Sequence, residues 1–254
     1  MFRFFVTSNN ISADSIMLSA EDSKHIRTLR LRPDEQFIVC DGNSTDYVCK
    51  LAESSGFASA RIVSSSKSLT EPTVLCRVFI AYQKGDRLDY AVQKSVELGV
   101  HDIVLFESER CVAVPHDIPK KVSRLQRIAL ETAKLCNRGI VPEVSSIGDF
   151  EAAINEAVSS SGITLFFYES EDQLHIKDVL QRHFTHEEDK NARDTQNANN
   201  VSIITGPEGG FEPSEVELAR SKGIPIVSLG ARILRSETAP VVALAAIMYQ
   251  SGNM

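Results

Sequence analysis

From Thr73 to the end of this 254-residue chain, short apolar runs alternate with amphipathic stretches of helical period. "TVLCRVFIAY", "DIVLFES", "SGITLFFYES", "VSIIT" and "IPIVSL" read as strands. "DRLDYAVQKSVELG", "PKKVSRLQRIALETAKLCNR", "PSEVELARSKG" and "APVVALAAIMYQ" read as helices. In the first of these, Leu88, Val92 and Val96 share one face, and Gly99 is the stop signal. Strands that are apolar on both faces, separated by helices, predict an α/β fold with a mostly parallel, doubly covered sheet.

Such sheets bind ligands beyond the carboxyl ends of their strands. The first strand of the unit is followed by Gln83-Lys84-Gly85-Asp86, which is not a dinucleotide fingerprint, and no phosphate-loop motif occurs anywhere. A nicotinamide-dependent oxidoreductase therefore lacks its signature. The glycines gather instead after the late strands, in "TGPEGG" and "LGARILRSETAP". One such turn alone is consistent with a tight strand-to-helix connection. Two, the second running into Arg235-Ser236-Glu237-Thr238, point to a pocket built from main chain. Backbone amides can read an adenine edge, and Pro207 stiffens its turn by fixing φ.

Residues 1–70 are different in texture. "QFIVCDG", "DYVCKLAES" and "ASARIVSSS" are β-rich, with Asp41-Gly42 as a turn signal, and predict a small β-barrel or sandwich. "SSSKSLTEP" (64–72) reads as a linker, so the second domain is expected at 73–254. Within it, residues 183–200 hold almost nothing to bury and read as a flexible surface insertion. His183 and His186 there lack further ligands at metal spacing and read as solvent-exposed.

The net charge of −7 speaks against a nucleic-acid partner, but the charge is uneven. "SKHIRTLRLRP" (23–33) carries Lys24, Arg27, Arg30 and Arg32 with no acid, which suits either a phosphate site or a solvated face. Five scattered cysteines form no C-x-x-C pair, which argues against a disulfide framework or zinc site and for a cytoplasmic protein. No apolar run approaches the roughly 20 residues of a membrane span.

"ITGPEGGFEPSEVELA" followed by "LGARILRSETAPVVALAAI" resembles the C-terminal signature of the ribosomal RNA small-subunit methyltransferase E family. "KGDRLDYAVQKSVELGV", "SERC" and "CNRGIVPEV" resemble its middle segments, and "HIRTLRLRPDEQFIVCDG" its N-terminal PUA-like domain. Lys134-Leu135 stand where that family commonly has Glu-Gln. The resemblance implies a SPOUT-superfamily enzyme that methylates uracil N3 of 16S rRNA in the small ribosomal subunit. It also implies a deep trefoil knot, S-adenosylmethionine as cofactor and a homodimer. It further implies a cofactor site at Thr205, Gly206, Glu208, Gly210, Leu229, Gly230, Ile233, Leu234 and Thr238, and rRNA contacts at Lys24, His25, Arg27, Arg30, Arg32 and Lys84.

Uracil N3 is a poor nucleophile until its proton leaves, so the site needs a proton acceptor or a cation for the developing charge. Arginine suits the second task because its planar fork meets the uracil oxygens. Arg235 is the expected catalytic cation, with Arg110 and Arg138 as helpers or phosphate contacts. Glu208 and Glu237 are candidates for the acceptor or for orienting an arginine, and Glu237 equally suits a helix start. A non-catalytic rRNA-binding or assembly factor with the same fold is the alternative reading.

Overall fold

The computed structural model describes residues 1–53, 56–185 and 200–254. Of the expected 183–200 insertion, residues 186–199, His186 included, lie outside the described residues. The chain divides into two compact units. The first takes Met1–Glu71 with Leu130–Val141, and the second Pro72–Ala129 with Pro142–Met254.

The first unit holds β1 (Arg3–Phe5), β2 (Ser15–Met17), α1 (Ala20–Leu29), β3 (Gln36–Cys40), β4 (Thr45–Glu53) and β5 (Ser59–Lys67). Its five-stranded sheet has the order β1-β3-β4-β5-β2. Phe4, Ile16, Ile26, Phe37 and Val39 form its apolar core. Two features depart from the sequence reading. β5 runs on through Ser64–Lys67, part of the expected linker, because it pairs with Thr45–Val48 of β4. The basic stretch is largely a helix, α1, which Ser19 caps by accepting from the Asp22 N–H. The helix ends at Arg30 in the left-handed region, at φ 53°.

The second unit holds β6 (Cys76–Ala81), α2 (Arg87–Glu97), β7 (Asp102–Glu107), α3 (Ile118–Leu135, whose residues from Leu130 on group with the first unit) and β8 (Glu143–Asp149). It continues with α4 (Phe150–Ser160), β9 (Ile163–Phe167), α5 (Ile176–Thr185), β10 (Val201–Thr205), α6 (Pro213–Ser221), β11 (Ile226–Val227) and α7 (Ala239–Gln250). All six strands pair in parallel in the order β11-β9-β10-β6-β7-β8. Every residue of β10 at the sheet centre is buried. Edge strand β8, "EVSSIGD", has one buried position, so it lacks the apolar run that announces the others.

Phe106, Phe150, Phe166 and Phe211 lie in one core cluster, with the Phe166 and Phe211 rings 4.3 Å apart. Phe211 closes the stretch "IITGPEGGF". Its burial anchors the glycine turn to the hydrophobic core.

Candidate cofactor and catalytic site

The first turn leaves the carboxyl end of β10. Thr205 donates its hydroxyl to the Phe79 carbonyl at 3.3 Å, and the Gly210 N–H reaches back to the Pro207 carbonyl at 3.0 Å. Two glycines are obligatory here for distinct reasons. A Cβ at Gly206 would lie 2.9 Å from the Phe211 ring. Gly210 sits at φ +69°, and a Cβ there would meet Glu169 Oε1 at 2.2 Å. Behind the turn, the buried Glu215 accepts from the Glu212 N–H, the Ser108 hydroxyl and the Glu109 N–H, at 2.8, 3.1 and 3.1 Å. Glu212 and Glu215 form a capping box that starts α6 directly after the turn.

The second turn leaves β11. The Gly230 N–H donates to the Ser228 hydroxyl at 3.2 Å, and the Thr238 and Ala239 N–H groups close on the Arg235 carbonyl at 2.9 and 3.0 Å. α7 begins there.

The two turns line one cavity of about 610 Å³. Eight of the nine expected cofactor residues are in its wall: Thr205, Gly206, Glu208, Gly210, Leu229, Gly230, Ile233 and Leu234. Thr238 is not, although its neighbours Glu237 and Ala239 are. Tyr168 and Glu169, at the carboxyl end of β9, complete the wall with Arg87 and Arg232. Sequence reasoning missed these contributors. "FFYES" carried the usable signal, since its strand ends at the same sheet edge as the glycine turns.

Of the expected catalytic side chains, Arg235, Glu208 and Glu237 come together at this cavity. The Arg235 side chain is 82% exposed, and Glu237 lies 4.0 Å from its guanidinium. Glu208 Oε1 accepts from the Lys84 N–H at 2.8 Å and from Arg87 at 2.5 Å. Burial opposes the charge on Glu208. The Lys84 N–H, its own N–H and the Arg87 guanidinium outweigh that, so its carboxyl sits below the usual range. It stays ionised and is a weak proton acceptor.

Arg110 does not line the cavity. It donates to Glu212 at 2.7 Å and to the Gly209 carbonyl at 3.3 Å, bracing the turn from outside. Arg138 lies in the first unit, where it is 4% exposed. Its guanidinium donates to both Glu71 oxygens, while Glu71 also accepts from the Gly139 and Ile140 N–H groups. There it fastens the 137–140 loop rather than joining the cavity. Lys84 enters the site through its main chain, not its ammonium.

In the first unit, Lys24, His25, Arg27, Arg30 and Arg32 are all exposed on and just after α1. Arg27 also donates to the Gly56 carbonyl at 3.0 Å. The helix presents the expected cations on a surface. Among the described residues, no group of His, Cys, Asp and Glu is arranged to hold a metal ion. No helix among them is long and apolar enough to cross a membrane.

The cavity fits a nucleoside-bearing sulfonium. Its volume suits a small cofactor, its main-chain turns suit an adenine edge, and Glu169, Glu208 and Glu237 supply negative charge for a cation.

Known proteins agree with this chemistry. A family model described as an RNA methyltransferase domain matches residues 70–248, and one described as an RNA methyltransferase PUA domain matches 18–67. The chain is 29% identical over 245 residues to ribosomal RNA small subunit methyltransferase E of Mesomycoplasma hyopneumoniae, covering 96% of this chain and 97% of the relative. It is 30% identical to the Aquifex aeolicus protein of the same name over 236 residues, covering 92% and 93%. Among solved structures, ribosomal RNA small subunit methyltransferase E of Neisseria gonorrhoeae bound to S-adenosylmethionine superposes with a TM-score of 0.80 at 29% identity, covering 98% and 97%. A Legionella pneumophila protein in complex with the same cofactor gives 0.80 at 25% identity over the same shares.

Proposed function

This chain belongs to the ribosomal RNA small subunit methyltransferase E family, and from that premise we propose that it methylates N3 of a uracil in 16S rRNA, using S-adenosylmethionine. One observation carries the reading: both glycine turns wall a single cavity that also presents Arg235. Among the sequence alternatives, a non-catalytic factor has no use for an exposed guanidinium at the mouth of an intact cofactor cavity.

The bound cofactor supplies an electrophilic methyl group. The chain's residues do the rest by positioning and electrostatics. Thr205, Gly206 and Gly210 from one turn, with Leu229, Gly230, Ile233 and Leu234 from the other, hold the cofactor, and Thr238 starts the helix that ends the second turn. Arg235 meets the uracil oxygens and stabilises negative charge as N3 loses its proton. Glu208 serves as an anchor rather than a base, because the Lys84 N–H and Arg87 occupy its Oε1 and lower its affinity for a proton. Arg110 positions the first turn, and Glu237 orients Arg235 and Arg87.

The domains would divide the labour at 1–70 and 73–254. The first is the PUA-like RNA-binding part, with Lys24, His25, Arg27, Arg30 and Arg32 contacting phosphates. The second carries the chemistry. A deep trefoil knot belongs to the same proposal. Its support is that β11 pairs at the sheet edge while α7, only twelve residues later in the chain, packs on central β6 and β10. A homodimer is supported by α7, which is apolar all round yet leaves Val242 and Tyr249 exposed. A cytoplasmic location is supported by five free cysteines. The test is isothermal calorimetry with S-adenosylmethionine. Micromolar binding that Gly210→Ala abolishes supports the site, and no heat from the folded wild-type chain refutes it.

A further inference from the structure

Arg87 comes from neither glycine turn, yet it touches both. It is the first residue of α2. Its Nη1 donates to Glu208 Oε1 of the first turn at 2.5 Å, and its Nε lies 3.5 Å from Glu237 Oε2 at the end of the second. The two acidic side chains are only 20% and 14% exposed, so each draws on a nearby cation for its charge balance. Arg235 gives little of it, being 4.0 Å from Glu237 and mostly in solvent. Glu208 Oε2 is buried with no hydrogen-bond partner among the described residues, and Arg87 is the cation that meets the carboxylate, through its other oxygen.

We propose that Arg87 is a positioning residue that ties the two cofactor turns together and offsets their carboxylates, setting how strongly the cavity prefers a cationic sulfonium over the neutral thioether left after methyl transfer. The proposal rests on the methyltransferase reading above. One guanidinium against two carboxylates leaves the pair net negative, which favours a sulfonium. Without Arg87 that imbalance grows, but the turns lose their tie. The two effects separate experimentally because the tie acts on both ligands and the charge on one.

The test is calorimetric titration of the full chain with S-adenosylmethionine and, separately, S-adenosylhomocysteine, with thermal melts to verify folding. Arg87→Gln is expected to weaken S-adenosylmethionine about tenfold and S-adenosylhomocysteine about 30- to 100-fold, so that the ratio of the homocysteine Kd to the methionine Kd rises about three- to tenfold. Glu237→Gln, which removes a negative charge, is expected to lower that ratio by a similar factor. The opposite signs are what a purely structural tie cannot produce. An unchanged ratio in both variants, or unchanged affinities in Arg87→Gln, overturns the proposal. Should Arg87→Gln not fold, Arg87→Lys decides: it keeps the charge but loses the fork, so both ligands should weaken with their ratio unchanged, and unchanged affinities overturn the proposal. If the wild type binds neither ligand, the methyltransferase reading fails instead.

Discussion

Glu208 lies within one glycine turn and Arg235 a few residues beyond the glycine of the other, and their surroundings give them opposite tasks. Arg235 keeps its guanidinium in solvent with Glu237 at 4.0 Å, which leaves its donors available to a substrate. Replacing it with Ala should lower the methylation rate about 100- to 1000-fold, the usual cost of one charge-stabilising donor, while cofactor Kd stays within about threefold. Single-turnover kinetics beside calorimetry checks both. Glu208 is consumed by the Lys84 N–H and Arg87. Its native pKa is depressed, so the stability it adds is full above the ordinary carboxylate range and is lost as pH falls toward the lower native value. Glu208→Gln should therefore be less stable than wild type at about pH 7, with the gap narrowing toward about pH 3. Urea unfolding at the two pH values reads this directly, and a gap independent of pH would contradict the assignment.

Elements, more than single residues, decided what could be read ahead of the structure. β6, β7, β9 and β10 were legible because strands buried on both faces need uninterrupted apolar runs, and α2 because Leu88, Val92 and Val96 repeat at helical spacing. β8 was not, since an edge strand with Ser145 and Ser146 half-exposed carries no such run. α1 was hidden because its charged residues mark a surface and only Asp22, Ser23 and Ile26 are buried. At the site, the glycine turns were visible as local motifs. Arg87 was not assigned to the cavity, because a contact 121 residues apart in sequence, that of Arg87 with Glu208, leaves no local trace. Arg138 shows the converse: its motif was readable, but its burial against Glu71 follows from a pairing 67 residues apart. The start of α6 offers a test at this scale. Glu215→Ala strips acceptors from the Glu212 and Glu109 N–H groups and the Ser108 hydroxyl in a buried setting, and should cost about 2–3 kcal/mol in urea denaturation. A loss below about 0.5 kcal/mol would mean that water replaces those bonds.

For the whole molecule, an acidic chain that acts on RNA must localise its positive charge. The net charge is −7, yet Lys24, Arg27, Arg30 and Arg32 crowd onto α1 and the residues just after it. Affinity for small-subunit rRNA should fall steeply with salt. Changing Arg27, Arg30 and Arg32 together to Gln should flatten the log–log slope by about 2–3, with cofactor binding untouched. An unaltered slope would remove the first unit from the RNA interface. The central claim is the reaction itself. Small subunits lacking the modification, incubated with the protein and methyl-labelled S-adenosylmethionine, should gain label on 16S rRNA, and mapping should place it on N3 of one uracil. Label on a cytosine or a ribose, or no label despite measured cofactor binding, would contradict it.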